Sequence, residues 1–317
     1  MQAVRLHEFG SPSVLRVEEV PDPVAGPGEV LVEVSAIGLN YGETLQRSGV
    51  SRQFDWYQQP PLPAILGGEV AGVVRAVGPS VSEDLIGKHV VGFATSGGYA
   101  SLATVAGPVE VPAGLDARQA LALYVQGLTA AALLDTAQVK PGERVLIEAA
   151  AGGVGSLLVQ LVTRAGAIPV ALARGSKLSL VKTLGADETV DYTEPGWSEH
   201  VEAVDVALSS VGGRISRDAF ELLHNGTGRM VVYGLASGEF PDITAKDTVR
   251  KGVALIGLRS LFGDPAYAAR LLGEVFALGA SGELKPVLGE SWPLAEAAAA
   301  HEAFEARTTT GKQFLIP

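Results

Sequence analysis

No cysteine occurs among the 317 residues of this chain. That absence excludes disulfides, thiolate-bound zinc and a thiol nucleophile, and it fits a reducing compartment. Basic residues are also scarce. Only 24 Lys and Arg stand against 35 Asp and Glu, a formal net charge of −11. Nucleic acids and anionic membranes are recognised by clustered cations, so neither is expected as a partner. An anionic ligand held by a local basic group or by backbone amides is compatible with the same balance. No uninterrupted apolar run reaches the roughly 18 residues of a membrane span, and the opening MQAVRLHEFG has no apolar signal-peptide core. The expectation is a cytoplasmic protein.

What is present is apolar material for large cores, 47% of residues, in a chain long enough for two domains. Up to about residue 112 the signals are strand-like. EVLVEVSAIGLN alternates, with Val30, Val32 and Val34 on one face and Leu31, Glu33 and Ser35 on the other. EVAGVVRAVG, KHVVGFA and GYASLATVAGPVEVP are further β-branched runs cut by Gly and Pro, and no long helix is expected among them. Near residue 116 the texture changes. Asp116, with Gln119 three residues on, reads as a capping box before an apolar helix. Strand and helix patterns then alternate: RVLIEAA, VGSLLVQLVTRAG, IPVALA, SKLSLVKTLGAD, VDVALSSVGG, ISRDAFELLH, GRMVVYG and KGVALIGLRS. Such alternation predicts a doubly wound α/β sheet. Two helices and the strand KQFLIP close the chain and return to the first domain.

The stretch EAAAGGVGSLLVQL, residues 148–161, joins a strand to a helix inside a βαβ unit. Against the pattern G-x-G-x-x-G, Ala150 replaces the first glycine, Gly152 is the second and Gly155 the third. Gly152 lets backbone approach a pyrophosphate, Gly155 lets the helix pack close to the strand, and the N–H groups of the helix start at Gly153 and Val154 hold the anion. Ala150 is tolerable if its turn needs no positive φ. By itself the loop also fits a plain strand-to-helix turn. In NAD-binding proteins a carboxylate about 20 residues on receives the ribose hydroxyls. Here Arg174 stands in that place, with Ser176 and Lys177 at the next helix start. That set favours a 2′-phosphate and therefore NADPH, the alternative being solvated surface charges.

AIGLNYGETLQRSG (36–49), GGEVAGVVRAVG (67–78), QGLTAAALL (126–134), AAAGGVG (149–155), VDYTE (190–194) and TGKQFLIP (310–317) together carry a more specific signal. Over essentially its whole length the chain resembles the zinc-independent quinone oxidoreductase (zeta-crystallin-type) branch of the medium-chain dehydrogenase/reductase superfamily. The resemblance implies a Rossmann-type doubly wound parallel sheet, residues 119–259, and a β-rich GroES-like catalytic domain from both chain ends, residues 1–118 and 260–317, with the active cleft at their junction. It implies a homodimer formed through the last strand of the cofactor domain. Zinc-dependent relatives carry a Cys and a Gly-His-Glu motif where this chain has Gly38-Leu39-Asn40 and Gly67-Gly68-Glu69, so no metal is expected.

The same resemblance places Asn40 and Tyr41 beside nicotinamide and substrate. Thr129, Val211, Tyr233 and Gly234 fall near the nicotinamide end of the cofactor, Lys177 and Tyr192 at the adenosine 2′-phosphate, and Arg259 near the substrate. Some relatives close the site with tyrosines where this chain has Leu45 and Ser51. Phe54, Trp56 and Tyr57 lie in a nearby expanded loop. The five histidines form no catalytic pattern, and His301 reads as a surface or packing residue. Without a Lewis acid the acceptor must already accept hydride readily. The leading expectation is an NADPH:quinone reductase, with Asn40 and Arg259 hydrogen-bonding the acceptor oxygen. The alternatives are a 2-enoyl or 2-alkenal reductase and a non-catalytic NADPH-binding protein.

Overall fold

The computed structural model describes residues 1–54, 60–258 and 263–317. Two compact units divide the chain. The first is Met1–Val125, Gly279–Glu283 and Leu288–Pro317, and the second is Gln126–Leu278 and Leu284–Val287. The return therefore comes later than the expected residue 260, because helix Pro265–Ala280 packs Tyr267 and Leu271 against Ala132 of the second unit.

Strand Glu29–Gly38 organises the first unit. Val30, Val32 and Val34 are buried while Glu33 and Ser35 are exposed, as the alternation requires. The strand pairs antiparallel with Glu69–Val77, Leu102–Glu110 and Lys312–Ile316. Since His89–Ala94 bridges the first two of these partners, four strands close on themselves. The free side continues through Lys312–Ile316 to Leu288–Pro293. Register shifts at Leu31/Val32 and Val34/Ala36 supply the bend that closure needs. A small sheet of Leu15–Glu19, Gln2–Leu6 and Ala64–Ile65 lies in the same unit. Its Val4 and Leu6 share one core with Leu294, Ala297 and Leu315, so both chain ends build this body. A short helix, Tyr41–Ser48, interrupts the strands.

The second unit holds six parallel strands in the order Glu188–Asp191, Ile168–Ala173, Arg144–Ile147, Val206–Ser209, Arg229–Val232, Ala254–Gly257. The first of these in the chain, Arg144–Ile147, lies centrally. Succeeding strands are added on one side of it and then on the other. That reversal is the topological switch point at which open α/β sheets bind ligands. Val145, Leu146 and Ile147 are wholly buried, as a strand covered on both faces should be. Helix Gly153–Arg164 follows, and Gly166, with φ of 73°, stops it. The expected helix after Lys177 is shorter, a 3₁₀ turn Gly175–Lys177 and then Leu178–Thr183.

Asp116 caps its helix as expected, accepting the N–H groups of Arg118 and Gln119 at 2.9 Å each. Among the described residues, one helical run, Ala117–Ala137, has the length and hydropathy to cross a membrane. Some 61% of its most apolar window is buried inside the protein, as in a core helix.

Candidate active site

In the second unit the glycine loop forms a cradle. Gly152 precedes helix Gly153–Arg164, no side chain caps that terminus, and the first N–H groups of any helix have no intrahelical partner. A Cβ on Gly155 would stand 2.4 Å from Ala149 O and 2.6 Å from Ala150 Cα, so only glycine allows this helix to meet its strand. The strained position is Ala149, at φ of 48°, while Ala150 has no positive φ. Left-handed backbone costs an alanine about 1–2 kcal/mol, a cost met here to shape the turn.

Arg174 follows strand Ile168–Ala173 and is half-buried. Its Nε is shut off from solvent with no hydrogen-bond partner. A buried unpaired donor on a permanent cation is a place for an anion. Lys177 is half-buried and Ser176 exposed three and two residues on. Beside them is Asp191, at the end of the neighbouring strand and in register with Ala173. Thr193 donates to it from Oγ1 at 2.6 Å and from its N–H at 2.9 Å. Those bonds, then the Gly175 N–H and the Arg174 charge, hold the Asp191 carboxyl below its ordinary range. Tyr192, next in sequence, is half-buried.

Glu148, directly before the glycine loop, is fully buried. Its Oε2 accepts from the N–H groups of Ser210 (2.9 Å) and Val211 (2.7 Å) and from Ser216 Oγ (2.9 Å), while Oε1 has no partner. Burial pushes this carboxyl up, and the three donors pull it back. Tyr233 donates its N–H to Ser209 O at 2.9 Å. Its hydroxyl bonds Ser210, and burial raises its pKa. Gly234 lies against Ser210 O. Val211, Tyr233 and Gly234 are thus brought together at the C-terminal ends of the central strands. Thr129 stands in the first turn of helix Leu128–Ala137, which packs on helix Gly153–Arg164.

In the first unit Asn40 precedes helix Tyr41–Ser48, and Glu43 Oε2 accepts its backbone N–H at 3.0 Å. The carboxamide turns inward. Nδ2 donates to Glu69 Oε1 at 2.9 Å, and Oδ1 accepts from Lys312 Nζ at 3.1 Å. Glu43 also accepts from Gly68 N–H at 2.9 Å and from the Tyr99 hydroxyl at 2.7 Å. Tyr99 in turn meets His301 Nε2 at 2.8 Å. Of the two expectations for His301, packing holds and surface does not: it is buried against Tyr99 and joins this network. Tyr41 packs its ring 5.8 Å from that of Phe304. Burial raises its pKa, with Arg307 opposing. Ser51 is buried and donates to Leu45 O at 3.1 Å. Arg259, Trp56 and Tyr57 lie outside the described residues.

Comparison with known proteins places this geometry. The family described as alcohol dehydrogenase GroES-like domain matches residues 26–122, and that described as zinc-binding dehydrogenase matches residues 184–315. A quinone oxidoreductase of Rattus norvegicus is 34% identical, the alignment covering 100% of this chain and 98% of the relative. The chain belongs to the quinone oxidoreductase family. Within the same medium-chain superfamily, the crystal structure of Escherichia coli quinone oxidoreductase complexed with NADPH superimposes with a TM-score of 0.92. It is 31% identical, and all of both chains is covered. CurK enoyl reductase is similar at 27% identity and a TM-score of 0.87, over 99% of this chain and 98% of that one.

The residues present suit one of the two groups that these relatives' descriptions name, zinc and NADPH, and not the other. Zinc does not fit. There is no cysteine, Gly68 offers no side chain, and Glu69 Oε1 is bonded to the Lys312 ammonium, whose charge opposes a second cation. Among the described residues no three His, Cys, Asp or Glu gather as a ligand set. NADPH does fit, through the uncapped helix start beyond Gly152 and the unpaired Nε of Arg174.

Sequence reasoning missed Glu43, Glu69, Tyr99, Lys312, Glu148 and Asp191. For Glu43 the signal was present: Asn40-x-x-Glu43 has the same capping spacing that was read at Asp116.

Proposed function

We propose that this protein is an NADPH-dependent, zinc-independent quinone reductase. The observation that carries this reading is the full-length similarity to quinone oxidoreductases. The cofactor half is supported by the NADPH-bound relative together with the unpaired buried donor of Arg174. When bound, NADPH supplies a hydride.

The second unit holds that donor. The N–H groups at Gly153, Val154 and Gly155 receive the pyrophosphate, and Gly152 lets backbone come close to it. Arg174 and Lys177 receive the 2′-phosphate, with Ser176 and Tyr192 flanking. Thr129, Val211, Tyr233 and Gly234 face the nicotinamide end, where Glu148 keeps the Val211 turn in place.

The first unit serves the acceptor. Asn40 has two amide hydrogens, and one is committed to Glu69 at 2.9 Å. The same Nδ2 also makes longer contacts, to Gly38 O at 3.3 Å and Glu43 Oε1 at 3.5 Å. This amide is the donor assigned to a quinone oxygen gaining charge. Tyr41 is assigned to the adjoining wall, while Arg259, which the family resemblance sets near the substrate, lies outside the described residues. A quinone requires no Lewis acid, and a hydride with one proton from water completes the hydroquinone. Residues near the chain ends thus bind the acceptor, and residues 126–258 bind NADPH.

A second copy is assigned to the edge strand Ala254–Gly257, where Leu255 is 41% exposed, giving a homodimer. The net charge of −11 disfavours nucleic-acid and membrane partners, and a cytoplasmic location accords with it. Similarity to CurK enoyl reductase supports one second reading, reduction of an activated C=C bond.

A single panel decides. Oxidation of NADPH and NADH is followed with 1,4-benzoquinone, 9,10-phenanthrenequinone, a crotonyl thioester and a 2-alkenal. Turnover on the quinones with NADPH preferred is expected. Preference for the thioester or alkenal supports the second reading. NADPH binding without turnover on any acceptor leaves a nucleotide-binding protein.

A further inference from the structure

We propose that Glu69 and Lys312 are positioning residues for the reaction: the ion pair they form inside the first unit fixes which way round the Asn40 carboxamide sits, and so which N–H an acceptor oxygen can reach. The inference rests on the reading of Asn40 as the acceptor's hydrogen-bond donor.

Glu69 is fully buried and Lys312 is 2% exposed. Charges that deep persist only when each finds partners. Glu69 opens strand Glu69–Val77, and Lys312 opens the C-terminal strand Lys312–Ile316. Both strands flank the end of Glu29–Gly38. Gly38 makes the space. A Cβ there would lie 2.8 Å from Glu69 Cδ, Glu69 Oε1 and Lys312 Cε, so the pair occupies the volume of a missing side chain. Lys312 Nζ donates to Glu69 Oε1, to Leu39 O at 2.9 Å and to Asn40 Oδ1 at 3.1 Å.

An ammonium group can only donate. The Asn40 atom it meets must therefore be oxygen, and Nδ2 is left facing Glu69 Oε1. Flipping the amide would set two donors against each other at Lys312 and two acceptors at Glu69. The pair thus holds the orientation in which Nδ2 also meets Gly38 O and Glu43 Oε1.

A purely mechanical staple between the C-terminal strand and its neighbour would be served as well by apolar side chains, which often replace buried ion pairs without loss of stability. The pair here leaves Glu69 Oε2 buried without a partner. An arrangement that tolerates that cost is better explained by orientation than by cohesion.

The chain contains just two asparagines, Asn40 and Asn225. Selective ¹⁵N-asparagine labelling therefore gives two side-chain amide pairs, assigned by the loss of one in Asn40→Asp. In the native protein one Asn40 proton should be shifted downfield by the Glu69 carboxylate. The double variant Glu69→Leu/Lys312→Met removes both charges together. It is expected to fold, to lose that shift, and to lower kcat with a quinone about 10- to 100-fold, while the Kd for NADPH moves less than about twofold. Lys312→Arg, which keeps a donor, should retain the shift and most of the rate.

An unchanged Asn40 signal in the double variant overturns the proposal. So does an altered signal with unchanged kcat, which would leave the pair a staple. If the double variant does not fold, Glu69→Gln/Lys312→Gln, which keeps polar volume but imposes no orientation, is read by the same two measurements, and an unmoved signal or rate overturns the proposal equally. Should Asn40→Ala turn over as fast as native protein, the role of Asn40 itself fails. That result is separate from the orientation measured by the amide signal.

Discussion

Glu148 Oε2 accepts the backbone N–H of Val211 at 2.7 Å, tying the residue before the glycine loop to the turn after strand Val206–Ser209. The carbonyls of that turn are held from elsewhere. Ala236 donates to Ser210 O at 2.9 Å and Ser237 to Val211 O at 2.7 Å. With Ser210 N–H also on Glu148, the turn at the switch point has its polar backbone fully engaged. Glu148→Ala leaves two buried N–H groups without acceptors, at about 1–3 kcal/mol each. Urea unfolding should show a loss of roughly 2–5 kcal/mol, and amide exchange at Ser210 and Val211 should accelerate. Glu148→Gln keeps an acceptor and should lose less. Equal losses for both variants would contradict the assignment.

The two glycines of the cradle should fail in different ways. Gly155→Ala drives a methyl into the backbone of Ala149 and Ala150 at 2.4 and 2.6 Å. Overpacking of that kind costs about 1–3 kcal/mol or more, visible as a lower Tm without any nucleotide. Gly152 has φ of −83°, and its nearest neighbour would be Ala149 O at 3.2 Å. Gly152→Ala should therefore keep most of its stability yet weaken NADPH binding, measured by calorimetry. A matching Tm loss in both variants would refute separate roles for them.

Arg174→Glu should invert nucleotide preference. The substitution removes a charge-assisted bond to the 2′-phosphate, worth about 1.5–3 kcal/mol, and adds repulsion next to Asp191. The affinity ratio of NADPH to NADH should fall by about 10- to 100-fold or more in paired titrations. A ratio that stays at the native value removes Arg174 from the phosphate site.

How much of this was legible beforehand follows from range. The parallel sheet, the Asp116 cap and the glycine loop are written in local spacing, and most helix and strand patterns of residues 144–257 could be read directly, though not strand Glu188–Asp191 or helix Ala245–Lys251. Val30, Val32 and Val34 showed their buried face through simple alternation. The Asn40 network could not be read this way. It joins residues 40, 43, 69, 99, 301 and 312, and nothing in the pattern around Lys312 distinguishes it from a solvated lysine. For His301 the packing alternative holds, but its polar partner was hidden for the same reason: an alanine-rich helix gives no hint that Tyr99, 202 positions away, supplies it. Asp191 was hidden by distance in another sense, because its place beside Arg174 comes from the pairing of two parallel strands rather than from local spacing. Tertiary partners of buried charges are a property of strand order, which a single sequence specifies only through the whole fold.

His301 yields the last prediction. The Tyr99 hydroxyl gives its one hydrogen to Glu43 Oε2 at 2.7 Å, so His301 Nε2 must be the donor in the 2.8 Å contact with Tyr99. The ring is then neutral, with Nδ1 buried and unpartnered. Burial, aided by the Arg47 charge, pushes its pKa down to about 3. In the unfolded chain an imidazole titrates near 6.5. Between those values the unfolded state binds a proton that the folded state refuses. This contribution to stability is present above pH 6.5 and is lost as pH falls toward 3, by up to about 1.4 kcal/mol per pH unit. His301→Gln keeps an N–H for Tyr99 but has nothing to titrate. Urea unfolding from pH 7 to pH 4 should show the native protein losing stability more steeply than this variant, and parallel curves would place His301 outside the acid response.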